Sequence, residues 1–232
     1  MVLDSARKRL LEIIKNCKGK LILEAGFGRG WVSLELYKKG FRVVGIELSD
    51  ERLREAKALF KFESVSIPII KASLTNLPLK DALFDTIVSC DVIEHIPDVE
   101  RAFLEFSRVI VQSGNLCLTV PNGFGAYGII NDLILASVGR KARARAGWRN
   151  VGSEHFQKFT PNSMKALPEL YKFEVTKFIN LEALTSFYAS LFGVLRIKRS
   201  AWKSLENADI ESAEKISRWF GSIWIVICKR SH

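Results

Sequence analysis

The chain has 232 residues, 48% of them hydrophobic, with a net charge of +10 and an isoelectric point near 9.5. That length and apolar content suit one sizeable α/β domain and exclude global disorder. The basic balance favours acidic partners such as nucleic acid, anionic lipid or a phosphorylated substrate, and says nothing about fold.

The opening MVLDSARKRL lacks the apolar core of a signal peptide, and no apolar run is long enough to span a bilayer, so a cytoplasmic protein is expected. Cys17, Cys90, Cys117 and Cys228 are scattered without a C-x-x-C pair, which reads as reduced thiols rather than zinc ligands or disulfides. Residues 4–17 predict a helix, with Asp4 as cap, Leu10, Leu11, Ile13 and Ile14 on its apolar side, and Gly19 as its end.

The next stretch, LILEAGFGRG, organises the rest. Leu21-Ile22-Leu23 reads as a buried strand closed by Glu24. Gly26, Gly28 and Gly30 alternate through a tight turn, and Trp31 opens a helix with Leu34 and Tyr37 at helical spacing and Gly40 as its stop. Glycines there let backbone amides approach a ligand, and the helix N-terminus adds N–H donors and partial positive charge. A dinucleotide fingerprint would need its third glycine at Trp31, and a P-loop would need Gly-Lys-Ser/Thr; neither is present. An acid at the strand end suits a ligand carrying an ammonium or sulfonium better than a pyrophosphate.

Phe41–Glu47 predicts a second strand, whose terminal Glu47 can accept ribose hydroxyls. A helix over 50–60 turns Leu53, Ala56, Leu59 and Phe60 inward. A third strand covers 65–71, after which Ser73 is either an adenine contact or a turn residue. Phe84–Cys90 is a fourth, central strand, followed by Asp91 and His95, and residues 98–110 carry the clearest amphipathic helix. Gly114–Val120 is a fifth strand.

Residues 122–159 break the alternation and predict a lid or substrate insertion, with Arg140, Lys141, Arg143, Arg145 and Arg149 clustered beside Trp148. Thr160-Pro161 starts a helix that Pro168 ends or kinks early. A sixth strand spans 173–180, apolar residues 181–195 and a polar stretch 204–220 read as helices, and Ser222–Cys228 is a last buried strand. The expected fold is therefore a single α/β domain: a Rossmann-like, doubly wound, seven-stranded sheet, mainly parallel with an antiparallel edge and helices on both faces. Ligands of such sheets bind at the carboxyl ends of the strands, where Glu24, the glycine loop, Glu47, Ser73 and Asp91 would converge.

With those residues placed, the chain resembles the class I S-adenosylmethionine-dependent methyltransferases, and especially the small-molecule branch that includes the ubiquinone-biosynthesis O-methyltransferases. LEAGFGRG, VVGIELSD, FDTIVSCDVIEHIPD, GNLCLTVPNG and GSEHFQKFTPNSM carry the resemblance in order. It implies S-adenosyl-L-methionine as cofactor, with Gly26, Phe27, Gly28 and Gly30 against its methionine part and Glu24 near its ammonium. Glu47 would hold the ribose, Ser73 and Leu74 would flank the adenine, and Leu48 and Cys90 would be further cofactor contacts. Where the family often has Asp, Ser73 offers only a hydroxyl.

Asp91 would face the methyl-transfer pocket. His95 is the candidate general base, imidazole being the side chain whose ordinary pKa lies nearest neutrality; its other reading is to orient the following helix. His155, in the lid, could enter from the far side or be a surface residue, and His232 is assigned nothing. No Asn/Asp-Pro-Pro-aromatic stretch follows the fourth strand, so an adenine-directed amine methyltransferase is disfavoured. A small-molecule acceptor is expected, through an oxygen of a quinone- or lipid-like compound, with peripheral contact to an anionic membrane through the basic cluster. RNA is the rival acceptor. A non-catalytic partner protein and an NAD dehydrogenase are the other classes weighed.

Overall fold

A computed structural model describes residues 5–17, 19–122, 156–181 and 222–231, together with 204, 207 and 208. Its sheet has seven strands: β1 (Leu21–Ala25), β2 (Arg42–Glu47), β3 (Ile69–Lys71), β4 (Phe84–Cys90), β5 (Ile110–Pro121), β6 (Phe173–Leu181) and β7 (Ile223–Arg230). Their order is β3-β2-β1-β4-β5-β7-β6. The first five are parallel, and β7 pairs antiparallel with both β5 and β6. The chain reverses direction of travel between β1 and β4, so the crevice at their carboxyl ends is the topological switch point.

Strand periodicity separates two cores. Ile22, Val43, Val88, Cys117 and Ile225 face one side, where α1 (Ser5–Ile14), α2 (Trp31–Lys38) and α3 (Asp50–Phe62) cover them. Leu23, Ile46, Ile87, Leu116, Leu118 and Trp224 face the other, under α4 (Val99–Val109) and α5 (Ser163–Leu170). Alternate residues thus bury on opposite faces, and each fully buried aliphatic or aromatic side chain contributes about 1.5–3 kcal/mol. In α4, Val99, Ala102, Phe103, Phe106 and Val109 form the buried stripe, and Phe103 stacks against Phe106, Tyr171 and Phe173.

Several boundaries differ from the sequence reading. The third strand is only Ile69–Lys71, because Pro68 has no N–H to add to the ladder; its carbonyl accepts from Gly45 N–H at 2.9 Å. The fifth begins at Ile110, directly off α4. Ile110 pairs with Phe84, and the register then shifts before Asn115 pairs with Thr86. In α2 the buried residues are Val32, Ser33, Leu34 and Leu36, while Tyr37 is exposed, since α1 packs on a side the spacing of Trp31, Leu34 and Tyr37 did not count. Regular α5 begins at Ser163, although the Thr160 carbonyl already accepts from Met164 N–H at 2.9 Å, so Pro161 lies in the opening turn. Pro168 sits inside α5, two residues before its end.

Residues 123–155 of the lid or insertion expected over 122–159, with the basic cluster, Trp148 and His155, lie outside the described residues, as do 182–203, most of 204–221, Asp4 and His232. Among the described residues no helix is long and apolar enough to cross a membrane. The four cysteines are free thiols.

Candidate active site

One cavity of about 1450 Å³ opens at the carboxyl ends of the strands. A pocket for one small ligand is typically ~300–1,000 Å³, so this one has room for two reactants side by side. Glu24, Gly26, Phe27, Gly28, Glu47, Leu48, Ser73, Leu74, Cys90, Asp91 and His95 all line it. Gly30 does not.

The three loop glycines divide by what surrounds them. A Cβ on Gly26 would meet both Val92 methyls at 2.6 Å, and one on Gly30 would meet the Phe60 ring at 2.6 Å. Those positions are required by the protein's own packing. Gly28, with φ +54, has no atom within 4 Å of the Cβ position, so its backbone is the one a ligand can approach. Phe27 is buried over Gly45, where a Cβ would lie 2.5 Å from its ring. The glycine inside the FRVVGIE strand was the available sign of that close approach.

Glu47 ends β2 in a net of backbone donors. Its Oε1 accepts from Leu48 and Ser49 N–H at 2.9 Å each, and Oε2 accepts from Gly28 N–H at 2.9 Å. Three of roughly four lone-pair sites are used, which leaves Oε2 able to take a hydroxyl. Leu48 is 62% exposed at the rim. The Ser73 hydroxyl bonds the Thr75 hydroxyl at 2.8 Å and caps the turn through Thr75 N–H at 3.2 Å, so its turn role and its place in the cavity coexist. Leu74 is buried beside it.

Glu24 is buried beneath the loop, where the Ser33 hydroxyl donates to its Oε2. Burial pushes its carboxyl up to about 8, opposed by the Ser33 hydrogen bonds and by the Arg7 guanidinium. The Cys90 thiol is likewise raised well above its ordinary value, by burial first and then by the negative charge of Glu24 and Asp91.

Asp91 follows β4 with φ +54, a conformation Asp tolerates better than most residues. Its Oδ1 accepts from the Thr119 hydroxyl at 2.9 Å and its Oδ2 from Arg7 at 3.0 Å. Arg7 comes from α1, 84 residues away, and lines the cavity too; no local pattern in the sequence marks it. His95 closes a 3₁₀ turn, Ile93–His95, half-exposed at the rim. It does not cap α4: Asp98 does, accepting from Arg101 N–H at 3.0 Å. Glu94 points inward, 2% exposed, with neither carboxylate oxygen hydrogen-bonded among the described residues. Burial, helped by the Asp91 charge, raises its carboxyl to about 8. The Glu94 carbonyl accepts from Phe156 and Gln157 N–H at 2.9 and 3.1 Å, which seats the far end of the insertion on this turn and leaves Phe156 66% exposed beside the cavity.

A switch-point crevice between β1 and β4, a glycine turn after β1 and an acid after β2 define a Rossmann-like architecture. Residues 23–118 match the family model described as a methyltransferase domain. It is 32% identical to phosphatidylethanolamine N-methyltransferase of Cereibacter sphaeroides over 121 residues, 50% of this chain and 58% of that one. It is 21% identical to ubiquinone biosynthesis O-methyltransferase of Rickettsia canadensis over 189 residues, 82% of this chain and 72% of that one. The first four curated relatives are matched over only 37% to 58% of their own length. In fold, a SAM-dependent methyltransferase from Archaeoglobus fulgidus superposes with a TM-score of 0.65 at 18% identity, covering 96% of this chain and 92% of that one.

Proposed function

We propose that the chain, as a single domain, is an S-adenosyl-L-methionine-dependent methyltransferase whose acceptor is a small molecule of lipid- or quinone-like character. The observation that carries this reading is the convergence of Gly28, Glu47, Ser73, Asp91 and His95 on one cavity at the switch point. The residues fit the donor. Gly28 leaves open space against the loop, Glu47 keeps acceptor capacity for a ribose hydroxyl, and Glu24 gives an acid for an ammonium. Arg7, paired with Asp91, adds a cation to the same wall.

Bound there, S-adenosyl-L-methionine supplies a methyl group on a sulfonium, ready for in-line displacement. The protein's larger task is alignment, which is worth up to roughly 7–11 kcal/mol. His95, at the rim, accepts the proton of an acceptor hydroxyl, a contribution of about 10²–10⁴-fold. Asp91, held by Arg7 and Thr119, fixes the floor between the two halves of the cavity.

The lipid-like acceptor draws on three supports: the two relatives named above, exposed Leu48 and Phe156 at the rim, and the basic stretch 140–149 with Trp148. The test is transfer of a labelled methyl group from the donor into fractionated lipid, RNA and small-molecule extracts. Label in the lipid or small-molecule fraction is expected, and label confined to RNA overturns the acceptor. Binding to anionic liposomes should weaken with salt and be lost when Arg140, Lys141, Arg143 and Arg145 are replaced by Ala. Calorimetry with S-adenosylhomocysteine against NADH separates this reading from a dehydrogenase.

A further inference from the structure

Glu24 and Ser33 form a buried hydrogen-bonded pair at the start of α2. Gly30, the N-cap of α2, has no side chain to offer the helix's first turn. Glu24, on the adjacent strand, reaches that turn and accepts the hydroxyl of Ser33. A carboxylate normally sits in water, yet this one is 2% exposed while still lining the cavity. An ionised carboxylate so far from solvent, held by one serine, is strongly disfavoured, so the acid form prevails in the free protein at neutral pH.

The charged and titratable groups facing Glu24 do not reverse this. Arg7 on α1 favours the carboxylate, but it is committed to Asp91 at 3.0 Å. Glu47 at the end of β2 repels it. Cys90 at the end of β4 adds a neutral thiol, and Asp91 beyond it is paired with Arg7. A cation entering the cavity would supply the missing counter-charge.

We propose that Glu24 is a proton-linked anchor for the donor: as the donor's ammonium arrives, the carboxyl O–H bond breaks, the proton leaves to solvent, and Ser33 holds the resulting carboxylate in place. This rests on the donor reading above. Ser33 is a positioning residue, acting only through Glu24.

The test is calorimetric titration of the full chain with S-adenosylhomocysteine, which carries the same ammonium, between pH 6 and 9.5 in two buffers of different ionisation enthalpy. Release of nearly one proton per ligand is expected near pH 7, fading above about pH 9, with affinity rising up to about tenfold per pH unit below pH 8. 5′-Methylthioadenosine lacks the ammonium and should bind without proton release. Glu24→Gln should abolish the release and lower affinity about tenfold or more. Ser33→Ala should move the pH midpoint upward, and Ser33→Thr should restore it, a pattern that loss of packing alone would not give. Should Glu24→Gln fail to fold by circular dichroism, the Ser33 pair decides. Binding without proton release, or release that persists in Glu24→Gln, overturns the anchor and leaves the donor site standing. No binding at all overturns both.

Discussion

The two halves of the cavity are built differently. On the β1–β2 side, the contacts are local or to backbone: Glu47 gathers three N–H groups from residues 28, 48 and 49, and the Glu24 carboxylate takes the hydroxyl of Ser33 nine residues on. On the β4–β5 side, side chains reach over long stretches of chain. Arg7 bonds Asp91 across 84 residues, and Thr119 bonds it across 28. Short-range backbone contacts fix a shape that recognises an invariant ligand. Long-range side-chain contacts can be rebuilt around different acceptors without disturbing the donor half.

The contrast can be broken or sharpened by substitution. Glu47→Ala should remove about 3–5 kcal/mol of donor affinity, read by calorimetry with S-adenosylhomocysteine, because it takes away the ribose partner and orphans three N–H groups. An equal loss from Asp91→Ala would erase the distinction between the halves. Within the loop, Gly26→Ala and Gly30→Ala should each destabilise the fold by about 2–4 kcal/mol, through left-handed backbone plus a clash with Val92 or Phe60. Gly28→Ala should cost only ~1 kcal/mol in stability, from backbone alone, and show its main effect on donor binding. Denaturant melts beside binding curves separate the two outcomes.

A third test uses pH. Glu94 in the folded protein holds its proton up to about pH 8, against an ordinary value of 4.5. The folded state therefore binds the proton more tightly. Stability from this group is greatest below about pH 4.5, declines as pH rises to about 8, and then levels off, by up to ~1.4 kcal/mol per pH unit. Glu94→Gln should remove about 2 kcal/mol of the decline between pH 5 and 7, while Glu24 continues to contribute in the same direction. Chemical denaturation at both pH values checks it. Smallest of all, Arg7→Met should change stability by less than about 1 kcal/mol, since the Arg7–Asp91 pair is 32% and 28% exposed. Its effect should appear in the rate of methyl transfer.

The sheet, its central crevice and the residues of the proposed donor half that line it were legible because their signals are local. An apolar run, alternating glycines and a strand-end acid lie within thirty residues, and the period-2 and period-3.6 patterns locate β1, β2, β4 and α4. What escaped the reading depends on tertiary contact. Arg7 sits in an unremarkable basic helix and gains meaning only when α1 packs beneath Asp91. Ser33 carries no signal of its own in the sequence, and only the fold brings its hydroxyl to Glu24. The short third strand followed from Pro68, which was visible, and the early start of β5 from a register shift, which was not.

The placement of β7 bears on how the protein is made. Residues 223–230 form a strand that lies between β5 and β6, so two partners translated much earlier wait for it. Leu116, Leu118 and Val120 on β5 end up fully buried, yet during synthesis that border has no neighbour. At ribosomal speeds the interval between Pro121 and Arg230 lasts roughly 5–20 s. Through that time a nascent chain carries an unpaired, strongly apolar edge, and it would be a natural client for a ribosome-associated chaperone until the last strand slides into the gap.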